Sequence, residues 1–201
     1  MMIRFTLLLS LLFVTSSSFA ALDLAGAFEA LKTKAVNWDP DGAVCEQLTR
    51  VKARDQYPEN AYDIIGDVEY DIGALTVGEL DLLVIEKNSG KVILVEEVKC
   101  WKSFQGGIDK ARSQKLRFEW HLSKYPQQIR FTSDEMKISA ANFSSSFPFI
   151  FVSQAGGAKW GFDQELDLNL SDIKKLRMML LKCQDSHQDR KSTRLNSSHT
   201  D

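Results

Sequence analysis

Two apolar runs joined by a tight turn constrain this chain most. Leu80, Leu82, Leu83, Val84 and Ile85 belong to a predicted strand from Glu79 to Lys87, and Val92, Ile93, Leu94 and Val95 to one from Lys91 to Trp101. Asn88-Ser89-Gly90 lies between them, a turn signal that makes the pair a hairpin. Runs this apolar belong inside a sheet, covered on both faces. Yet they carry Glu79 and Asp81 on one strand and Glu97 and Lys99 on the next. Residues two apart on a strand share a face, so the hairpin is expected to bring three carboxylates and one ammonium together.

Such a group is costly to bury and calls for an explanation. A divalent cation supplies one. Mg²⁺ takes oxygen ligands from one or two carboxylates, with water and substrate phosphate completing its shell. Lys99 would then orient or deprotonate the attacking water, or stabilise charge developing on phosphate. The plainer alternative is a half-exposed hairpin whose solvent face is charged.

The rest of the pattern is mixed. Leu22 to Val36 has helical spacing, and a second helix is predicted from Gly42 to Asp55 with Asp41 as its cap. Tyr62 to Ile72 reads as a strand, Ile108 to Ser123 as a helix after Gly106-Gly107, Gln128 to Thr132 and Phe147 to Ser153 as strands, and Ser171 to Lys182 as a last helix. The expected class is α/β, with a mixed central sheet flanked by helices.

Neither end belongs to this domain. Residues 1–20 have a charged start, an apolar middle from Phe5 to Val14, and Ser18-Phe19-Ala20 before Ala21, the three parts of a cleavable signal peptide. The apolar run falls short of the ~20 residues that span a bilayer. Export to the periplasm or the medium is expected, without stable membrane association after cleavage. Residues 189–201 are of another kind: Asp189 to His199 matches a translated sequencing adapter residue for residue, so the tail is expected to be non-native, with an ordinary polar tail as the alternative. One domain over 21–188 remains, of ordinary size.

That domain has 21 basic and 25 acidic side chains, so the chain as a whole is not a basic nucleic-acid binder. The charge is unevenly placed. Lys99 to Arg130 holds eight basic residues against Asp109 and Glu119, whereas residues 21–98 sum to −9. An acidic site beside a basic phosphate track suits nucleic acid, with Lys102, Lys110, Arg112, Lys115 and Arg117 as the track. A merely solvated basic helix is the alternative. Cys45, Cys100 and Cys183 permit one disulfide in an oxidising compartment, leaving one cysteine over. Cys100 points away from Lys99 and is expected to be packed or disulfide-bonded. Trp101 would stack on a base if it lies at the site mouth.

Gly78-Glu79-Leu80-Asp81-Leu82-Leu83, the hairpin, and Val95-Glu96-Glu97-Val98-Lys99 together resemble the core motif of the PD-(D/E)XK nuclease superfamily, in its small endonuclease-like branch with the Holliday-junction resolvase-like proteins. The resemblance covers roughly Gly42 to Ser153. It implies a restriction-endonuclease-like αβββαβ core, Asp81 and Glu97 as Mg²⁺ ligands (Mn²⁺ substituting), the Val98 carbonyl as a further ligand, and Lys99 as the catalytic lysine. Glu46 is the candidate for the acidic residue that the preceding helix often adds, with Glu79 in support. Gln114 and Phe118, four apart, resemble the glutamine–aromatic pair of some branches, although core packing is the better reading of Phe118. Leu80 stands where the family's proline precedes the aspartate. The implied activity is hydrolysis of phosphodiester bonds in DNA, less so in RNA. The alternative is a non-catalytic exported protein on the same fold that binds nucleic acid or a protein.

Overall fold

The computed structural model describes residues 21–40 and 42–197, with side chains to Ser186. Residues 1–20, read above as a signal peptide, Asp41, read as a helix cap, and the last four residues lie outside the described residues. Among the described residues no helix is long and apolar enough to cross a membrane.

The chain is mixed α/β. Its elements are α1 (Leu24–Leu31), α2 (Ala43–Gln56), β1 (Tyr62–Ile72), β2 (Leu75–Glu86), β3 (Lys91–Val98), α3 (Phe104–Lys124), β4 (Ile129–Thr132), β5 (Phe149–Ser153), β6 (Gln164–Glu165) and α4 (Leu170–Ser197). One sheet of six strands runs β4-β1-β2-β3-β5-β6. β1, β2 and β3 form an antiparallel meander, and β4 adds to β1 antiparallel. β5 returns parallel to β3, which requires the long crossover that α3 provides.

Helices cover both faces, as the apolar strands demanded. On one face Ile65, Leu83 and Val95 pack with Ile108, Ala111 and Phe118 of α3. On the other, Val98 and Val152 pack with Val44 and Leu48 of α2, Leu31 of α1, and Leu176 and Leu180 of α4. Leu82, Val84 and Leu94 complete that face beneath Ala53.

Several boundaries differ from the sequence reading. β2 begins at Leu75, four residues before Glu79, because β1 and β2 join through a turn at Gly73, whose φ of 66° suits glycine. The extension was hidden by Gly78 and by Leu75, which is exposed. α3 begins at Phe104 rather than Ile108: the Ser103 side chain accepts the Gly106 N–H and starts the helix, so Gly106-Gly107 lies within its first turn. α1 stops at Leu31, β3 at Val98, and β6 was not foreseen. α4 runs past Lys182 to Ser197, through the start of the tail read as adapter-derived.

Candidate active site

The site forms where β2 and β3 part. Their ladder ends at Leu82↔Glu96, and the Val98 N–H, two residues on, donates instead to Asp81 Oδ2 at 2.7 Å. A carboxylate thus replaces the backbone partner that β2 no longer offers, which holds Asp81 in a fixed direction.

Strict alternation also fails at Asp81. Leu83 and Leu80, three apart, belong to one apolar cluster, while Leu82 belongs to the opposite one. The cause lies on β1. Gly66 pairs with Leu82 and Val68 with Leu80, so Asp67 stands across from Asp81, and its φ is 53°. A non-glycine residue in the left-handed region is uncommon, though Asp tolerates it better than most. Asp67 shifts β1 by one face, and β2 follows.

Lys99 organises the charge. Its Nζ donates to Asp81 Oδ2 at 3.1 Å, to Glu97 Oε1, and to the Val98 carbonyl at 3.0 Å. These are three of the five groups nominated in the sequence as metal ligands; Glu46 and Glu79, the other two, are not among the hydrogen-bond partners of Lys99. Asp81 is 9% exposed and Glu97 wholly buried, and Glu97 Oε2 has no hydrogen-bond partner. Burial first, then the Asp81 charge, push the Glu97 carboxyl upward against the pull of Lys99. Burial alone would lower the Lys99 ammonium, but Asp81 and Glu97 together outweigh it and hold the group above its ordinary value.

Glu46 and Glu79 form an outer ring. Glu46 sits in the first turn of α2. Burial, followed by the charges of Asp81, Asp67 and Glu79, raises it to about 7. Glu79 is raised by burial and then by Asp81, Asp67 and Glu69. Asp67, missed in the sequence, is raised by burial and by Asp81, with Arg50 opposing. Among the described residues, no group of three or more His, Cys, Asp or Glu side chains converges to hold a metal ion. The convergent set is two carboxylates and a carbonyl.

A disulfide braces this arrangement. Cys45, beside Glu46, is bonded to Cys100, beside Lys99, and Cys183 is free. It ties α2 to the end of β3 on the face away from α3. On the other face Gly107 of α3 lies against Lys99: a side chain there would sit 3.5 Å from Lys99 Cβ and 3.6 Å from Trp101 Cβ. Gln114 follows two turns along, half-buried, its Oε1 without a partner. Phe118 is core, edge-on to Tyr70.

The basic track divides. Lys102, Lys110 and Arg112 are exposed, with Arg112 near Asp109 at 4.0 Å. Lys115 instead lies over the Phe149 ring at 5.6 Å and 3.8 Å from Glu119. Arg117 is exposed, and its charge partly offsets the upward push of burial on the Tyr70 hydroxyl. An apolar cavity of about 280 Å³, lined by Leu48, Val51, Leu166 and Leu168 among others, includes none of these site residues.

Comparison with family models, with curated proteins and with solved structures finds no match to this chain.

Proposed function

We propose that this protein is a metal-dependent nuclease with a PD-(D/E)XK-like site, acting on DNA. One observation carries the reading: the Lys99 ammonium rests among the Asp81 carboxylate, the Glu97 carboxylate and the Val98 carbonyl. The pocket is therefore a cage of hard oxygens around a cation, with one buried oxygen of Glu97 to spare. That donor set suits Mg²⁺, which needs few protein ligands. The element order α2-β1-β2-β3-α3-β4 also follows the αβββαβ pattern.

Asp81, Glu97 and the Val98 carbonyl would hold the ion, with Glu46 and Glu79 adding negative potential around it. A bound Mg²⁺ would supply Lewis-acid polarisation of the scissile phosphate. Lys99, displaced from the cage but tethered beside it, would face the phosphate and neutralise developing charge. Gln114 would help position the nucleophilic water from α3. Lys102, Lys110 and Arg112 would hold the strand by its phosphates. The disulfide favours an oxidising compartment, in keeping with the signal-peptide reading.

A second reading rests on the same contact. Lys99 already occupies the cage, so a non-catalytic binder on this framework is the competing function. The test is cleavage of linear, circular and branched DNA with Mg²⁺, Mn²⁺ or chelator. Metal-dependent cutting that is lost in Asp81→Asn supports the nuclease. A folded protein that cuts neither DNA nor RNA under any of these conditions leaves the binder.

A further inference from the structure

Two tryptophans near the start of α3 remain open to solvent. Trp101 is 42% exposed and Trp160 44%. A single exposed aromatic needs no explanation, but these two flank the same end of α3. Trp101 leans on Gly106 and Gly107, the glycine that also touches Lys99. Trp160 lies parallel to Phe104, with an interplanar angle of 16° and centroids 6.3 Å apart. Both are anchored through their backbones. The Trp101 carbonyl accepts the Gln154 amide at 2.8 Å, and Trp160 ends a tight turn closed by Gly161 at φ 95°.

Cations lie close to both rings, together with two acids: Asp109 beside Arg112, and Glu165, which accepts the Ala158 N–H. Lys102 and Lys159 adjoin the two rings in sequence and are exposed. Arg112 lies against Gly161, next to Trp160. Flat apolar rings interleaved with cations match one ligand chemistry well: unpaired nucleobases on a phosphate backbone. A continuous duplex keeps its base faces stacked and could not use the rings.

We infer that Trp101, Phe104 and Trp160 form a stacking platform for the unpaired bases of a DNA strand. Where the site is a nuclease, and the consequence for cutting rests on that reading, the platform selects single-stranded or branched DNA over continuous duplex. Aromatic rings of this kind have only two side-chain torsions to fix, so little freedom is lost on binding.

The third exposed tryptophan serves as a control. Trp120 is 53% exposed but sits near the far end of α3, roughly 24 Å from Phe104 at ~1.5 Å per helical residue. It packs edge-on against His121 and Tyr125.

The experiment measures anisotropy of labelled oligo(dT), and of a blunt duplex of equal length, with the purified protein in chelator, where no metal-dependent cutting occurs. Trp101→Ala and Trp160→Ala should each weaken oligo(dT) binding by roughly 5- to 150-fold, the range for loss of one stacked base. Trp101→Phe and Trp160→Phe should keep most of it, and Trp120→Ala and duplex binding should not change. Matched thermal midpoints would show that the variants are folded. Equal binding of both DNAs, or oligo(dT) binding unmoved in the double alanine variant, overturns the platform even if metal-dependent cutting persists. Loss of oligo(dT) binding in a protein that cuts nothing upholds the platform and removes the nuclease.

Discussion

Asp81 accepts the Val98 N–H at 2.7 Å where the β2–β3 ladder has ended, so one carboxylate both closes the sheet and faces Lys99. These two tasks separate by substitution. Asp81→Asn keeps an oxygen for Val98 and loses the charge; Asp81→Ala leaves a buried N–H unpaired, at a cost of about 2 kcal/mol. Urea denaturation should therefore show the alanine variant clearly weakened and the asparagine variant much less so. Neither should cut DNA. Equal destabilisation by the two would mean that the Val98 bond contributes nothing.

Lys99 competes for the oxygens that a metal would take. Removing it leaves Asp81 and Glu97 buried without their cation, a loss of about 3 kcal/mol for a broken buried pair. In chelator, Lys99→Met should unfold at markedly lower urea than the wild type. Added Mg²⁺ should restore much of that stability, since a ligand that binds only the folded state stabilises it. Calorimetric titration should show Mg²⁺ binding at least as tightly to the variant as to the wild type, while cutting is lost. Mg²⁺ that fails to restore the variant would mean that the oxygen cage is not a metal site.

The Cys45–Cys100 bond closes a loop across a sequence separation of 55. Chain-entropy arguments give such a crosslink roughly 4 kcal/mol, with measured values commonly nearer 2. Cys45→Ser/Cys100→Ser should lower stability by that order in chemical denaturation. Because the bond joins the neighbours of Glu46 and Lys99, cutting should fall further than unfolding alone explains at temperatures where the variant remains folded. Activity equal to wild type under those conditions would reduce the disulfide to a purely structural brace.

The hairpin and its charged residues were legible because alternation, turn chemistry and apolar runs are local signals. β1 falls on its predicted span from Tyr62 to Ile72, and both faces of the sheet are covered as the runs from Leu80 and Val92 required. What escaped was non-local. Nothing near Asp67 in the chain announces a left-handed residue across from Asp81, for that pairing exists only once β1 and β2 align. The rule that residues two apart share a face gave a plausible group from Glu79 and Asp81, yet the face shift at Asp67 brings Asp81 in and leaves Glu79 outside. Ser103 was a readable cap, masked by the two glycines that follow it. The position of Lys115 over the Phe149 ring depends on a contact that only the folded sheet brings near.

Glu96 points the other way from its neighbour Glu97, and its titration should appear in stability alone. It is 3% exposed, and its Oε2 has no hydrogen-bond partner. Burial lifts its carboxyl from an ordinary 4.5 to about 7, with only the Lys52 charge pulling back. Lys52 itself donates to the Glu165 carbonyl at 2.5 Å. Between pH 4.5 and 7 the folded chain therefore holds a proton that the unfolded chain has released, so stability falls as pH rises through that window. Glu96→Gln removes the burden of ionising this group. In chelator the variant should match the wild type near pH 4 and exceed it at pH 8 by up to about 3 kcal/mol, the linkage value of such a shift. Glu46, Asp67, Glu79 and Glu97 are raised too and give both proteins a common slope, so the difference between the two curves isolates Glu96. A difference that does not grow with pH would show that its carboxyl reaches water or a cation after all.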